Sequence, residues 1–354
     1  MENQDINLLP LFNKFITESA KGKRLKKNGK RLKAETVDNY RYVLKNLQEF
    51  ITDNNFEFRL RPYNKLDSRA KEAERNYWKR FYRKFTDYLY LKRNCHDNYV
   101  GSNIKVIRVF MNYLKNEKQI STGDFQKEFY IIKEEIPVIT LSFEQLQFLI
   151  FDSNFKASLP HYLEQSLDIF ILGCTVALRV SDIFRISPKD IEKIGEYYYL
   201  QNKSLKTETV TRVRLPDYAV KILKKYEKQR KNHRRVFPEI SLNQFNKNIK
   251  TLAELAGWTY QIGKSRTIRG KQNELYPSGI NESYRFCDLM SSHVMRRTAI
   301  TTMLILGMPE PLVRKISGHS SNSAAFYRYV NYAQSFIDNE ITKVHQKLEM
   351  RVIT

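Results

Sequence analysis

Apolar positions recur every three or four residues along most of the chain, the period of helices that bury one face. Leu8 to Ile16 makes a first short helix. Thr36 is read as the N-cap of a second, whose stripe is Val37, Tyr40, Val43, Leu44, Leu47, Phe50 and Ile51. Tyr77, Phe81, Phe85, Tyr88 and Leu89 mark a long helix over 68–91. Ile104, Ile107, Phe110, Met111 and Leu114 mark another over 100–118. The period fades between Phe125 and Leu141, where KEEIPVITL mixes charge, a proline and a β-prone run. That segment reads as a linker into a second domain.

The second domain opens with helices over 142–150 and 163–178. The period then changes. Residues 196–201 and 209–215 are β-prone runs around a polar turn, which predicts a hairpin. Helices resume over 216–228, 242–256, 292–306, 309–317 and 324–349. The polar stretch 257–288 carries no clear period and reads as an elaborated loop in preference to a DNA-contacting hairpin. The expected fold is mainly α with a small β-hairpin or sheet in the catalytic domain. The expected division is a helical domain over 1–130, a linker over 131–141 and a catalytic domain over 142–354.

Composition narrows the partners. Of 354 residues, 61 are Lys or Arg and 38 are Asp or Glu, a net charge of +23 that favours a polyanion, nucleic acid first. The run from Lys21 to Lys33 holds eight basic residues in thirteen. No apolar run has the length of a membrane span. The N-terminus starts with acids and lacks the layout of a signal peptide. Cys95, Cys174 and Cys287 are scattered, which argues against a disulfide framework or a cysteine zinc site. These features predict a cytoplasmic protein.

Three patches carry chemistry: Ala177-Leu178-Arg179-Val180-Ser181-Asp182, then His293-Val294-Met295-Arg296-Arg297-Thr298, then Ile316-Ser317-Gly318-His319-Ser320-Ser321 followed by Phe326-Tyr327-Arg328-Tyr329. Together they resemble the tyrosine recombinase (phage-type integrase) family, in that family's order: an arginine with an acid three residues on, a hairpin lysine, a His-x-x-Arg, a Gly-His, and a tyrosine about nine residues later. The resemblance covers about residues 140–345, and only loosely the first 130, as a core-binding domain. It implies Arg179, Lys206, His293, Arg296, His319 and Tyr329 as the catalytic set, with Lys203 the rival lysine and Tyr327 the rival tyrosine.

The implied chemistry explains the residue types. A tyrosine nucleophile keeps the phosphodiester energy in a covalent link. Arg179 and Arg296 answer the charge gathering on the phosphate oxygens in bidentate geometry. His293 and His319 add hydrogen bonds or proton transfer, and the lysine protonates the leaving 5′-oxygen. No cofactor or metal is required. Asp182 is expected to hold Arg179. The expected partners are double-stranded DNA and, on paired sites, a homo-tetramer. Phe336, Ile337, Ile341, Val344 and Leu348 stripe a terminal helix suited to docking in trans. The first helix starts near Leu8, so no further N-terminal DNA-binding domain is expected. Two alternatives share the motifs: a type IB topoisomerase-like enzyme and a non-catalytic DNA-binding relative.

Tyr329 is preferred to Tyr327 on helical geometry. Residues two apart differ by about 200° around a helix, so only one can face the phosphate. Tyr329 lies three residues from Phe326, beside the apolar stripe of Phe326 and Val330.

Overall fold

The structure is a computed structural model that describes residues 5–26, 28–205, 208–229, 234–321 and 323–350. Contacts divide it into two compact units, Met1–Ile136 with Ser265–Leu275, and Pro137–Lys264 with Tyr276–Thr354. The architecture is mainly helical with small antiparallel sheets, as expected.

The first unit is built from α1 (Leu8–Ala20), α2 (Ala34–Asn54), α3 (Ser68–Asp87) and α4 (Asp97–Asn116). A two-residue strand pair, β1 (Ile6–Asn7) with β2 (Arg59–Leu60), accompanies them. The predicted stripes meet in an aromatic core. Phe12, Phe15, Phe50, Phe81, Phe85 and Phe110 are fully buried, with Trp78 beside them. Truncating any of these to alanine would cost about 3–5 kcal/mol. Side chains at the helix starts satisfy amides that have no intrahelical partner. Asn7 Oδ1 accepts from Leu9 N at 3.1 Å, and Asp67 Oδ1 from Ala70 N at 2.7 Å. Thr36 is not a cap. α2 starts two residues earlier, and the Lys33 carbonyl takes the Thr36 and Val37 amides instead.

The second unit is organised around α7 (His161–Val176), which buries residues on every side. α5 (Phe143–Phe151) opens on a capping box between Ser142 and Gln145, and the short α6 (Ser153–Ser158) follows it. After α7 come the single turn α8 (Val180–Ile183), then α9 (Asp217–Gln229) and α10 (Leu242–Leu255). The turn α11 (Phe286–Leu289) precedes α12 (Ser292–Ile305), α13 (Glu310–Ser317) and α14 (Ala324–Met350). α12 crosses α7 closely because residue 173 is glycine. A Cβ there would lie 2.6 Å from the Met295 sulfur.

The predicted hairpin is part of a three-stranded antiparallel sheet, β3 (Ile191–Ile194), β4 (Tyr197–Lys203) and β5 (Val210–Leu215). Thr211, Val213 and Leu215 face the core, while Val210, Arg212 and Arg214 alternate outward.

The reading of 257–288 as a loop is corrected. β6 (Gln261–Ile262) pairs with β9 (Tyr284–Arg285), and β7 (Lys264–Ile268) with β8 (Lys271–Leu275). β7 and β8 join through Arg269-Gly270, both at positive φ, the signature of a tight two-residue hairpin. The strands escaped notice because the alternation in KSRTI and KQNEL is polar against polar.

Candidate active site

The site assembles where two helices end. α7 stops at Ala177, which adopts a left-handed φ of 55° and leaves its carbonyl outside the helical ladder. α13 stops at Ser317, capped by Gly318 at φ 64°. Helix C-termini carry orphan carbonyls and the negative end of the dipole, so they attract a cation. Arg296, from α12, supplies it. It is 7% exposed, and its Nη1 donates to Ala177 O at 2.8 Å and its Nη2 to Ser317 O at 2.6 Å. Burial, followed by the nearby Arg179 charge, lowers its pKa to about 10. It therefore stays cationic at neutral pH.

His319 follows Gly318 directly. Its Nδ1 lies 2.8 Å from Ser317 Oγ, and both ring nitrogens lie 3.3 Å from Arg296 Nη2. The Ser317 hydroxyl donates to Val313 O at 2.7 Å. Its oxygen is then the acceptor for Nδ1–H, which assigns the lone pair to Nε2. Burial, then the charges of Arg296, Arg179 and Arg314, push the His319 pKa down to about 3. The imidazole is therefore neutral, with its Nε2 lone pair turned to Arg296 Nη2, and with so low a pKa it is a hydrogen-bonding group and only a weak base.

Of the two tyrosines, Tyr329 faces inward. It packs against the small cluster of Ala177, Ala299, Ile300, Val313 and Phe326. Its ring centroid is 6.1 Å from that of His319 and 5.9 Å from that of Phe326. Tyr327 is 52% exposed and lies by Arg314, 5.0 Å from ring centroid to guanidinium carbon.

Arg179 caps α8 and is half-buried, with Nη1 donating to Ser204 Oγ at 3.1 Å. The expectation that Asp182 holds Arg179 is corrected, because no ion pair joins them among the described residues. Asp182 is buried and accepts the Leu205 amide at 3.0 Å, and its Oδ2 has no hydrogen-bond partner. The acid that follows the arginine thus fastens the β4–β5 turn. Arg179 is the extended N-cap of α8 and not a helical residue, so the three-residue spacing does not bring its side chain over Asp182 as it would within a helix. Lys203 ends β4 opposite Val210 and is exposed. Lys206 lies outside the described residues. His293 sits exposed in the first turn of α12, one turn before Arg296.

The geometry brings together Arg179, Arg296, His319 and Tyr329. It also recruits groups that sequence reasoning passed over: the Ala177 carbonyl, Ser317, Ser204 and Arg314. Only Ser317 had a local signal, standing beside Gly318-His319. Two guanidiniums lie within electrostatic reach of one another, and no carboxylate forms an ion pair with either among the described residues. Such a pair is a receptor for an anion.

Comparisons with known proteins bear on the family and the fold. Residues 161–335 match the phage integrase family. The chain belongs to that family, the tyrosine recombinases. Transposase B from transposon Tn554 of Staphylococcus aureus, in strains Mu50 and N315, is 37% identical over 90 residues. That match covers 24% of this chain and only 14% of the relative's length. Three solved structures share the fold at low identity. The XerH site-specific recombinase on a palindromic difH substrate has a TM-score of 0.65 at 11% identity, over 96% of this chain and 98% of that one. A lambda integrase dimer on a core site has 0.58 at 12%, over 92% and 78%. The Tn1549 transposon integrase with circular intermediate DNA has 0.57 at 12%, over 92% and 95%. No helix among the described residues is long and apolar enough to cross a membrane.

Proposed function

We propose that this protein is a site-specific DNA recombinase that cuts and rejoins double-stranded DNA through a 3′-phosphotyrosyl intermediate on Tyr329. One observation carries the reading: Arg296 ties the ends of α7 and α13 so that Arg179, His319 and Tyr329 converge on one anion-seeking point.

The reaction follows from the groups present. Tyr329 Oη attacks the phosphorus and loses its proton, which His319 Nε2 accepts once the bound phosphate anion raises a basicity that burial and the arginine charges hold down. An ordinary phenol ionises near 10, so the cationic surroundings must assist. Arg179 and Arg296 stabilise the charge on the non-bridging oxygens. The bond to the 5′-oxygen breaks and that oxygen takes a proton from Lys206. A different 5′-hydroxyl then attacks the phosphotyrosine, restoring the phosphodiester and free tyrosine. His293 completes the set as a hydrogen-bond donor to phosphate.

The domain assignment belongs to the same proposal: a DNA-binding helical domain over 1–130, a linker over 131–141 and a catalytic domain over 142–354. So do four protomers on paired sites, a cytoplasmic location and action on a mobile element. The apolar stripe on α14 supports assembly. Phe336, Ile341, Val344 and Leu348 are 40–61% exposed.

A nicked suicide duplex tests the reading on a denaturing gel. The full chain should give a slow protein–DNA band, and Tyr329→Phe should bind the duplex and give none. A band that persists in Tyr329→Phe and is lost in Tyr327→Phe would transfer the role to Tyr327. DNA affinity should fall by about 10³–10⁵ between 50 and 200 mM salt if 6–10 phosphates are neutralised.

A further inference from the structure

His319 sits in a turn held from both sides by arginines. On one side Arg296 takes the Ser317 carbonyl. On the other, Arg314 donates from Nη1 to the Ser320 carbonyl at 3.0 Å. Arg314 is a residue of α13 that no part of the reaction above uses. It is 6% exposed, and its Nε is fixed by Glu310 at 2.6 Å. Its guanidinium carbon lies 4.1 Å from the centroid of the Phe326 ring. Phe326 is fully buried and meets both His319, at 5.1 Å between centroids, and Tyr329, at 5.9 Å.

We infer that Arg314 is a positioning residue for the strand-cleavage reaction, setting His319 and Tyr329 relative to one another through the Ser320 carbonyl and the Phe326 ring. The inference rests on the recombinase reading above. Two features set Arg314 apart from a packing residue. Its Nη2 is buried without a hydrogen-bond partner, which is unfavourable for stability and which an apolar side chain of the same volume would avoid. Its bonded carbonyl is in the segment that links the histidine to the tyrosine helix. Freeing that carbonyl removes a fixed point of the backbone between His319 and α14. Its charge also disfavours protonation of His319.

Displacing reacting groups by about 1 Å costs on the order of 10²-fold in rate. Three full-length variants test the role with the nicked suicide duplex, measuring single-turnover adduct formation at saturating DNA, duplex affinity and thermal unfolding. Arg314→Met keeps the volume and the contact with Phe326 but loses the donor and the charge. It should slow adduct formation by about 10²-fold and leave duplex affinity within about twofold. Arg314→Lys can still reach Ser320 O and should form the adduct about tenfold faster than Arg314→Met. If Arg314→Met fails to fold, Arg314→Lys against wild type and Glu310→Ala, which frees Nε alone, supply the comparison; both should slow cleavage at unchanged affinity. Rates that fall only in step with affinity or thermal stability overturn the inference, as does a lysine variant no faster than the methionine variant. Absence of any adduct from the unaltered protein would instead sink the recombinase reading.

Discussion

Two hairpins in this molecule are fastened by buried carboxylates, and they are fastened differently. At the β7–β8 tip, Asp97 is fully buried and accepts from Arg269 N at 2.7 Å, Gly270 N at 2.9 Å and Tyr90 Oη at 2.6 Å. Glu134 takes Thr267 N at 2.6 Å and Arg266 Nη1 at 2.9 Å. Burial raises the Asp97 pKa, but the donors outweigh it and hold the carboxyl below its usual range. At the β4–β5 turn, Asp182 accepts a single amide and keeps one oxygen without a partner among the described residues. The first hairpin closes in two residues, whereas the second spans six, 204–209, including Lys206. Saturating a carboxylate with short backbone bonds makes a rigid fixture. A half-used carboxylate beneath a longer turn fixes that turn only at its base, through the Leu205 amide.

The largest expected effect falls on the open hairpin. Lys206→Ala should slow strand cleavage by about 10²–10⁴-fold, the worth of a general acid. A substrate whose leaving group needs no proton should cleave at nearly the original rate. Lys271→Ala, on the closed hairpin, should leave cleavage unchanged. Equal losses at both positions would break the comparison.

Asp97→Ala comes next. It leaves buried amides without an acceptor and should destabilise the protein by on the order of 3 kcal/mol. Cleavage per folded molecule should be unaffected. Asp182→Asn, which keeps an acceptor for Leu205, should change stability by less than about 1 kcal/mol. Urea unfolding of the two variants measures the difference. A costlier Asp182→Asn would show that the turn is as rigidly held as the tip.

Ser204→Ala is a smaller test. It removes the one hydrogen bond that the described residues of the β4–β5 turn give Arg179. Cleavage should slow about tenfold, the loss of roughly 1.4 kcal/mol from the transition state, with stability nearly unchanged. An unaltered single-turnover rate would mean that Arg179 is held by other means.

A last effect is on stability in acid, and it accumulates only as the pH falls. His319 ionises near 6.5 in an unfolded chain and near 3 in the folded protein. Between those values the unfolded chain binds more protons, so stability falls as pH drops from about 6.5 towards 3. His319→Gln should flatten that part of the curve. An unchanged slope would show that His319 is more solvated than its surroundings indicate.

Much of the helical framework was legible because each stripe is a local pattern. Phe81 and Phe85, or Ile104 and Ile107, declare their shared face through spacing alone. The chemical residues were legible for another reason: Arg179, His293, Arg296, Gly318-His319 and the tyrosines stand in a recognisable order. Boundaries were less so. Thr36 looked like a cap, yet backbone geometry put the helix start at Ala34. The strands of 261–275 have no apolar alternation to betray them.

What the sequence by itself determined, then, is which segments are helical and which side chains can do chemistry, since both depend on residue type and short spacing. Tertiary structure decided which groups meet. The Arg296–Ala177 bond closes 119 residues and the Gly270–Asp97 bond closes 173. No local period encodes such a pairing. It exists because a buried donor or acceptor must find a partner, and the one it finds depends on where packing of the whole chain has left an unsatisfied carbonyl, amide or carboxylate. That is why Asp182 serves Leu205 in place of Arg179, and why Tyr329 turns inward while Tyr327 remains in solvent.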